Sequence, residues 1–380
     1  MKASIITLQT AVNYGSLLQT YATMQVFARL GWQVEFVDYT RANNTMEAQA
    51  RRMFRPRWFK ALDRLSCGLA TRVALPWAVK RAAKRAAPFR EFLARNHIPL
   101  TPRRYADIGE LRADPPVADV YCTGSDQVWN SIWNGGLELP YFLDYAPEGK
   151  KRIAFAASIG RTDLDQDEKD GMAPLLRKYS AISMREKSGA DIVESMGIPA
   201  EWVLDPTLML KKEEWLALAP PLPPPKRPCL LLYVLNWDAR AARLARTMAE
   251  RHGWTIRRIT KNKQKPFSAE KGIEVVVLRS VEEWLAHFRD ADCILTDSFH
   301  ATAFSVNFHK PFIAIPPPRF PGRLESILQL VRLENRMYRG GEMTDPGAPI
   351  DWQAVDAILN RERAKSWRFL ENALGTGSPR

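Results

Sequence analysis

The chain has 380 residues, 46% hydrophobic and 26% charged, too long for one ordinary domain and apolar enough to bury two cores. No run of about 18 apolar residues occurs, which excludes a membrane-spanning helix, and the first apolar run is too short for a secretory signal, so the expected compartment is the cytoplasm. Cys67, Cys122, Cys229 and Cys293 lack CxxC spacing and read as free thiols, and no His, Cys or carboxylate pairs recur at ligand spacing, so neither a disulfide framework nor a metal is expected. The net charge of +13 sits in one stretch: residues 51–104 carry fifteen Lys and Arg against Asp63 and Glu91, and the remainder is neutral.

In chain order, ASIITL (3–8) reads as a strand ending in a polar loop. LLQTYATMQVFARLG then has helical spacing and stops at Gly31, and WQVEFVDY alternates as a strand. This is a βαβ crossover. The basic stretch follows, with Trp58, Phe59, Leu62, Leu65, Leu75, Trp77, Phe89 and Phe92 interleaved among the charges. It reads as helices with one basic and one apolar face, suited to an anionic membrane surface or to a solvated basic face over a core. Nucleic acid is not expected, because no binding motif accompanies the charge.

Further on, Val117–Cys122, RIAFAASIG, Ala181–Met184 and EWVLDPTLML read as strands, the last broken at Asp205-Pro206, and a helix begins near Ser188. APPLPPPKRP, residues 219–228, is six-tenths proline and marks an extended linker. Beyond it PCLLLYVL, TIRRIT, EVVVL, CILTD and KPFIAI alternate with helices at ARAARLARTMAERHG, SVEEWLAHFRDA and 298–307, and a last helix runs between Trp352 and Leu374. The expectation is α/β throughout: a domain over 1–218 with a helical basic insertion, a linker over 219–228, a second domain over 229–350, and a C-terminal helix and tail over 351–380.

Where strands of a parallel sheet end, free backbone N–H groups and helix N-termini favour anions. Four such loops carry candidate chemistry. Asn13-Tyr14-Gly15-Ser16 places small residues before a helix, as an anion nest or a plain cap. Thr123-Gly124-Ser125-Asp126-Gln127 offers hydroxyl acceptors beside Trp129 and Trp133, which could stack on a sugar or fill a core. In Ser183-Met184-Arg185-Glu186-Lys187, Arg185 could fork onto a phosphate or carboxylate, or pair with Glu186 or Asp191. In Thr296-Asp297-Ser298-Phe299-His300, a first-turn histidine could exchange protons, or simply pack in the core. Asp297 is a further hydroxyl acceptor, whereas His309 reads as structural.

The series NYGSLLQTYA, CTGSDQVWN, FAASIG, ISMREKSGADIV, VLDPTLML, ILTDSFHATAFSVNFHKPFIAI and GRLESILQLVRLENR resembles the polysaccharide pyruvyl transferase family over residues 1 to about 335, apart from 51–104. The resemblance implies a GT-B-like fold, two Rossmann-like domains facing a central cleft. It implies transfer of an enolpyruvyl unit from phosphoenolpyruvate onto a sugar of a surface polysaccharide or its lipid-linked precursor, forming a ketal with no cofactor. Arg185 and His300 are then the catalytic pair. Asn13, Gly15, Ser16, Ser298, Arg319 and Arg323 bind the donor, and Ser125, Asp126, Gln127 and Trp129 the acceptor. Better-studied members carry an Arg where Ser298 stands here, and Arg319 or Arg323 on the next loop is expected to supply that charge. A lipid-linked acceptor fits the expected attachment of residues 51–104 to the inner face of the cell membrane. The alternatives are a GT-B glycosyltransferase using a nucleotide sugar, and a carbohydrate-binding component of polysaccharide assembly without catalysis.

Overall fold

The computed structural model describes residues 1–54, 57–66, 68–223, 228–237, 239–260, 272–341 and 344–376. Cys67, residues 224–227 of the linker and the last four residues of the tail lie outside them. The described cysteines, Cys122, Cys229 and Cys293, are free and buried. No helix among the described residues is long and apolar enough to cross a membrane.

Two parallel sheets form the frame. The first contains β1 (Lys2–Ile6), β2 (Gln33–Phe36), β3 (Val120–Thr123), β4 (Lys151–Ala157), β5 (Ala181–Met184) and β6 (Glu201–Trp202), in the order β2-β1-β3-β4-β5-β6. The second contains β7 (Cys229–Tyr233), β8 (Thr255–Thr260), β9 (Ile273–Val277), β10 (Cys293–Thr296) and β11 (Phe312–Ala314), in the order β11-β10-β7-β8-β9. Their central strands are continuous apolar runs because helices cover both faces. VYCT of β3 and CLLLY of β7 are buried at every position. Register brings Ile5 opposite Cys122 and Leu231 opposite Ile294.

Each sheet reverses its direction of growth once. After β2 the chain crosses β1 to add β3, and after β9 it crosses β7 to add β10. At such a switch point the two flanking loops part and leave a crevice at the carboxyl ends of the strands. The basic insertion lies within the first of these crossings.

One aromatic cluster joins the halves. Tyr14 opens the first helix, Tyr14–Arg29. Its ring stacks on Trp284 of the Val281–Asp290 helix at 6.3 Å between centroids, and Trp284 meets Phe304 at 5.1 Å. The C-terminal helix, Trp352–Leu374, closes the chain back on the first half: Ser366 Oγ accepts from Leu204 N at 3.0 Å, and Arg363 Nε donates to Leu208 O at 2.7 Å.

Two expectations change. EWVLDPTLML is not an extended strand. β6 has only two residues, and Asp205 then caps a helical turn, Pro206–Met209, its carboxylate accepting from Thr207 N at 2.9 Å. Proline lacks an N–H and is pre-set for the first helical position, so Asp-Pro starts a helix rather than interrupting a strand. The basic insertion also differs. It does form helices, chiefly Leu69–Arg95, but Leu65 and Trp77, expected on the apolar inner face, are exposed.

Leu370 is fully buried in the core that both halves share. Leu370→Ala is expected to destabilise by about 2–5 kcal/mol through lost packing and the residual cavity. Denaturant unfolding of the variant and the parent measures it.

Candidate active site

A cleft of about 1000 Å³ opens where the two switch points face each other. The first half contributes Leu8, Asn13 and Ser16 from after β1, and Asp126 and Gln127 from after β3. The second contributes Leu235 and Asn236 from after β7, and Ser298 and His300 from after β10, with Arg319 and Arg323 from the loop beyond β11. The basic insertion supplies Arg51 and Arg52 to the rim.

Beneath the cleft lies a buried ion network. The Arg185 side chain is 0% exposed. Its Nε donates to Glu186 Oε1 at 2.9 Å, Nη1 to Asp205 Oδ2 at 3.0 Å and Nη2 to Asp126 Oδ1 at 3.3 Å. The guanidinium also lies over the Phe299 ring at 4.5 Å. Burial would lower its pKa, but Glu186, Asp126 and Asp205 outweigh that and raise it. The carboxylates are held in turn: Glu186 by Ser158 Oγ, Asp205 by Ser125 Oγ and Thr207 Oγ1, and Asp126 by Ser16 Oγ and Gln127 N. Burial raises the Asp126 carboxyl, yet Arg185, His300 and these hydrogen bonds prevail and hold it at about 2. Asp126 sits at φ 76°, a left-handed conformation that costs a non-glycine residue energy and that a fixed surrounding must maintain.

His300 occupies the first turn of the Phe299–Asn307 helix, capped by Ser298 Oγ. Its Nε2 stands 3.8 Å from Asp205 Oδ2 and has no hydrogen-bond partner. Arg185 and His300 thus meet at one carboxylate oxygen, from opposite halves of the molecule. Burial, foremost, lowers the imidazole pKa, with Asp205 and Asp126 opposing and Arg185 and Arg323 reinforcing. His300 is therefore neutral near pH 7, with Nε2 free to accept a proton. Its ring rests on Gly15, where an added Cβ would lie 2.1 Å from Nδ1. Asn13 caps the Tyr14–Arg29 helix, to which Gly15 belongs, by accepting from Gly15 N at 3.0 Å.

Arg323 begins the Gly322–Leu330 helix. Ser326 of that helix accepts from Lys187 N at 3.0 Å, which pins it to the first half. Arg323 Nε is shut from solvent and has no hydrogen-bond partner. Burial and the neighbouring Arg185 lower its pKa to about 10, so it stays charged at neutral pH. Arg323 is half-buried in the cleft wall, so an anion entering the cleft would meet its charge.

Several sequence assignments change role. Arg185 does not line the cleft, because three carboxylates consume its guanidinium; the pairing with Glu186 is part of this. It braces the site rather than gripping a ligand. Ser125 is fully buried and bonded to Asp205. Trp129 is core, 1% exposed, stacked on Phe142 with Nε1 donating to Tyr141 O. Trp133, 47% exposed, is the tryptophan on the cleft wall, and Arg319 lies 5.9 Å over its ring. Asp297 is spent on the loop after β7, accepting from Leu235 N, Asn236 N and Asn236 Nδ2. His309, in the turn after the Phe299–Asn307 helix, pairs with Asp356 and does not line the cleft. Two contributors were missed, Asp205 and Glu186. The signal for Asp205 was available as an Asp-Pro helix start, whereas Glu186 was read only as a surface partner.

The family model for polysaccharide pyruvyl transferase matches residues 13–317. The chain belongs to the polysaccharide pyruvyl transferase family. The matched span holds the whole cleft except Leu8, Ala11 and the last wall residues, among them Arg319 and Arg323. No curated protein matches the chain. Among solved structures it is similar to the UDP-GlcNAc 2-epimerase of Neisseria meningitidis bound to UDP-GlcNAc (8% identity, TM-score 0.52, covering 99% of this chain and 100% of that one). It is also similar to S. aureus MnaA with UDP (11%, 0.52, 100% and 98%) and to a Listeria monocytogenes protein described as a UDP-N-acetylglucosamine 2-epimerase (9%, 0.50, 94% of each). At these identities the likeness concerns the fold alone, the GT-B arrangement of two Rossmann-like domains around a cleft.

Three tests come from this geometry. Gly15 has helical backbone, but a Cβ there would lie 2.7 Å from His300 Cβ, so Gly15→Ala must displace the imidazole and strain the buried helix that carries it. Turnover is expected to fall on the order of 100-fold or more, since displacement of a reacting group by about 1 Å is that costly, and the unfolding temperature should fall as well. Arg185→Ala strands three buried carboxylates and is expected to cost about 3–5 kcal/mol of stability. The third test uses pH. The Asp126 pKa is lower in the folded state, so its ionised form adds stability above the ordinary value of 3.8 and yields it as pH falls towards about 2. The stability gap between the parent and Asp126→Asn should narrow over that window in acid titrations followed by circular dichroism.

Proposed function

We propose that this member of the family takes phosphoenolpyruvate as donor and forms a pyruvate ketal on a saccharide acceptor, with His300 transferring protons and Arg323 binding the donor. The observation that carries this reading is the pairing of an unpartnered imidazole Nε2 with an unpartnered guanidinium Nε in one cleft. A small donor with a carboxylate and a phosphate needs a cationic receptor beside a proton-transfer group. Arg323 is the receptor, and it supplies the charge that Ser298 lacks. Arg319, Arg51 and Arg52 at the rim draw the anion inward.

The reaction balances through one imidazole. The bound dianion raises the His300 pKa towards protonation. Imidazolium gives its proton to the methylene carbon, leaving positive character at the adjacent carbon. A sugar hydroxyl attacks that carbon and returns its proton to His300. A second hydroxyl of the same sugar then attacks, and phosphate leaves with the last proton. Asp205 faces the ring and favours its charged form, while Arg185 fixes Asp205 in place. Trp133, with Asp126 and Gln127, forms the acceptor wall, where an exposed indole can stack on a sugar face. The acceptor sugar is a unit of a surface polysaccharide or of its lipid-linked precursor.

A thermal-shift screen of phosphoenolpyruvate against UDP- and GDP-sugars tests the donor. Saturation at about 100 times the dissociation constant stabilises by about 2.7 kcal/mol. Phosphoenolpyruvate should raise the unfolding temperature, and Arg323→Ala should abolish that shift while Arg323→Lys retains part of it. His300→Gln should bind the donor and lose about 10²–10⁴ in phosphate release. Stabilisation by a nucleotide sugar and not by phosphoenolpyruvate would assign the chain a glycosyl donor instead.

A further inference from the structure

The Leu69–Arg95 helix has two unlike faces. Ala78, Ala82, Ala86, Phe89, Phe92 and Leu93 are buried against the fold. On the opposite side, Leu69, Val73 and Trp77 follow one another at four-residue intervals, 59%, 71% and 58% exposed. Leu65, which ends the preceding helix Arg57–Leu65, is 85% exposed. Single exposed apolar residues are ordinary on a soluble protein, but a contiguous stripe marks a contact surface.

Charge on the same helix says what that surface meets. Lys80, Arg81 and Lys84 are exposed, and their spacing continues the outer face beyond Trp77. The Arg81 guanidinium lies over the Trp77 ring at 5.4 Å. Arg64 and Arg72 are exposed beside the apolar tip. No Asp or Glu occurs between Asp63 and Glu91. We propose that this helix docks the protein on an anionic lipid bilayer. Leu65, Leu69, Val73 and Trp77 enter the boundary between headgroups and acyl chains, and Lys80, Arg81 and Lys84 rest on the headgroups. An apolar strip bordered by cations, with an indole at the junction, is the composition that such an interface selects. A second copy of the chain is the poorer occupant. Face-to-face pairing would bring the same cations together in a protein already at +13. Nucleic acid would gain nothing from exposed leucine and valine.

The inference does not rest on the donor. It places at the membrane surface a chain whose basic insertion begins at the cleft rim, with Arg51 and Arg52. Acceptors bearing a lipid chain would be met there.

Co-sedimentation of the full chain with vesicles tests it, using phosphatidylcholine with and without phosphatidylglycerol. Binding is expected only with phosphatidylglycerol and should weaken in high salt, because charges beyond about 10 Å are screened at 0.1 M. The triple variants Leu69→Ser, Val73→Ser, Trp77→Ser and Lys80→Glu, Arg81→Glu, Lys84→Glu should each lower the bound fraction at least tenfold. Their unfolding temperatures should match the parent's, a control independent of turnover. Absence of binding to phosphatidylglycerol vesicles would overturn the proposal. So would equal binding to both vesicle types, or unchanged binding by both variants. A parent dimer converted to monomer by the serine variant, without vesicle binding, would assign the stripe to a second copy.

Discussion

A guanidinium buried away from water must be surrounded by charge, and the position of Arg185 is fixed by that requirement. Three carboxylates converge on it from three loops: Asp126 after β3, Glu186 after β5 and Asp205 after β6. None can move without exposing a buried charge, so the ends of three strands are locked to one point. Such a network is not an efficient source of stability, because desolvation opposes most of the attraction. Its effect is to specify geometry. The strained backbone at Asp126 persists because its carboxylate has nowhere else to go.

From that point the site is assembled by contact. Asp205 faces Arg185 on one side and His300 on the other, so the first half positions a residue of the second. Gly15 gives the imidazole its seat, and glycine is the residue that leaves room for it. The Gly322–Leu330 helix, pinned through Ser326 to Lys187, carries Arg323 over the same network. The cleft and its buried network are thereby held between two Rossmann-like domains at their switch points. Each domain supplies what the other lacks, and neither forms the site alone.

The fold was legible because its signals are local. TIRRIT, Ala181–Met184 and the Trp352–Leu374 helix were bounded from the sequence as they stand in the structure, and alternating strands and helices announced parallel sheets. The loops Asn13–Ser16, Thr123–Gln127 and Thr296–His300 were also singled out, since small polar residues at strand ends are conspicuous. What was hidden depends on three dimensions. Arg185 in sequence is an arginine at a strand mouth; only the convergence of Asp126 and Asp205, 59 and 20 residues away, turns it from a ligand clamp into a brace. Trp129 and Trp133 are equally tryptophan, and the ring stacked on Phe142 is core while the other faces the cleft. The stripe from Leu65 to Trp77 has the spacing of a buried face, and periodicity cannot say which side of a helix meets the protein.

The central claim is that burial keeps His300 neutral and unpartnered at Nε2, against the opposing pull of Asp205 and Asp126, until an anion arrives beside Arg323. An NMR titration of the His300 ring proton, assigned by comparison with His300→Gln, tests it most directly. In the free protein the account predicts a midpoint below the ordinary 6.5, and an upward shift when phosphoenolpyruvate is added. A free-protein midpoint at or above 6.5, or a midpoint that ignores phosphoenolpyruvate, would contradict it.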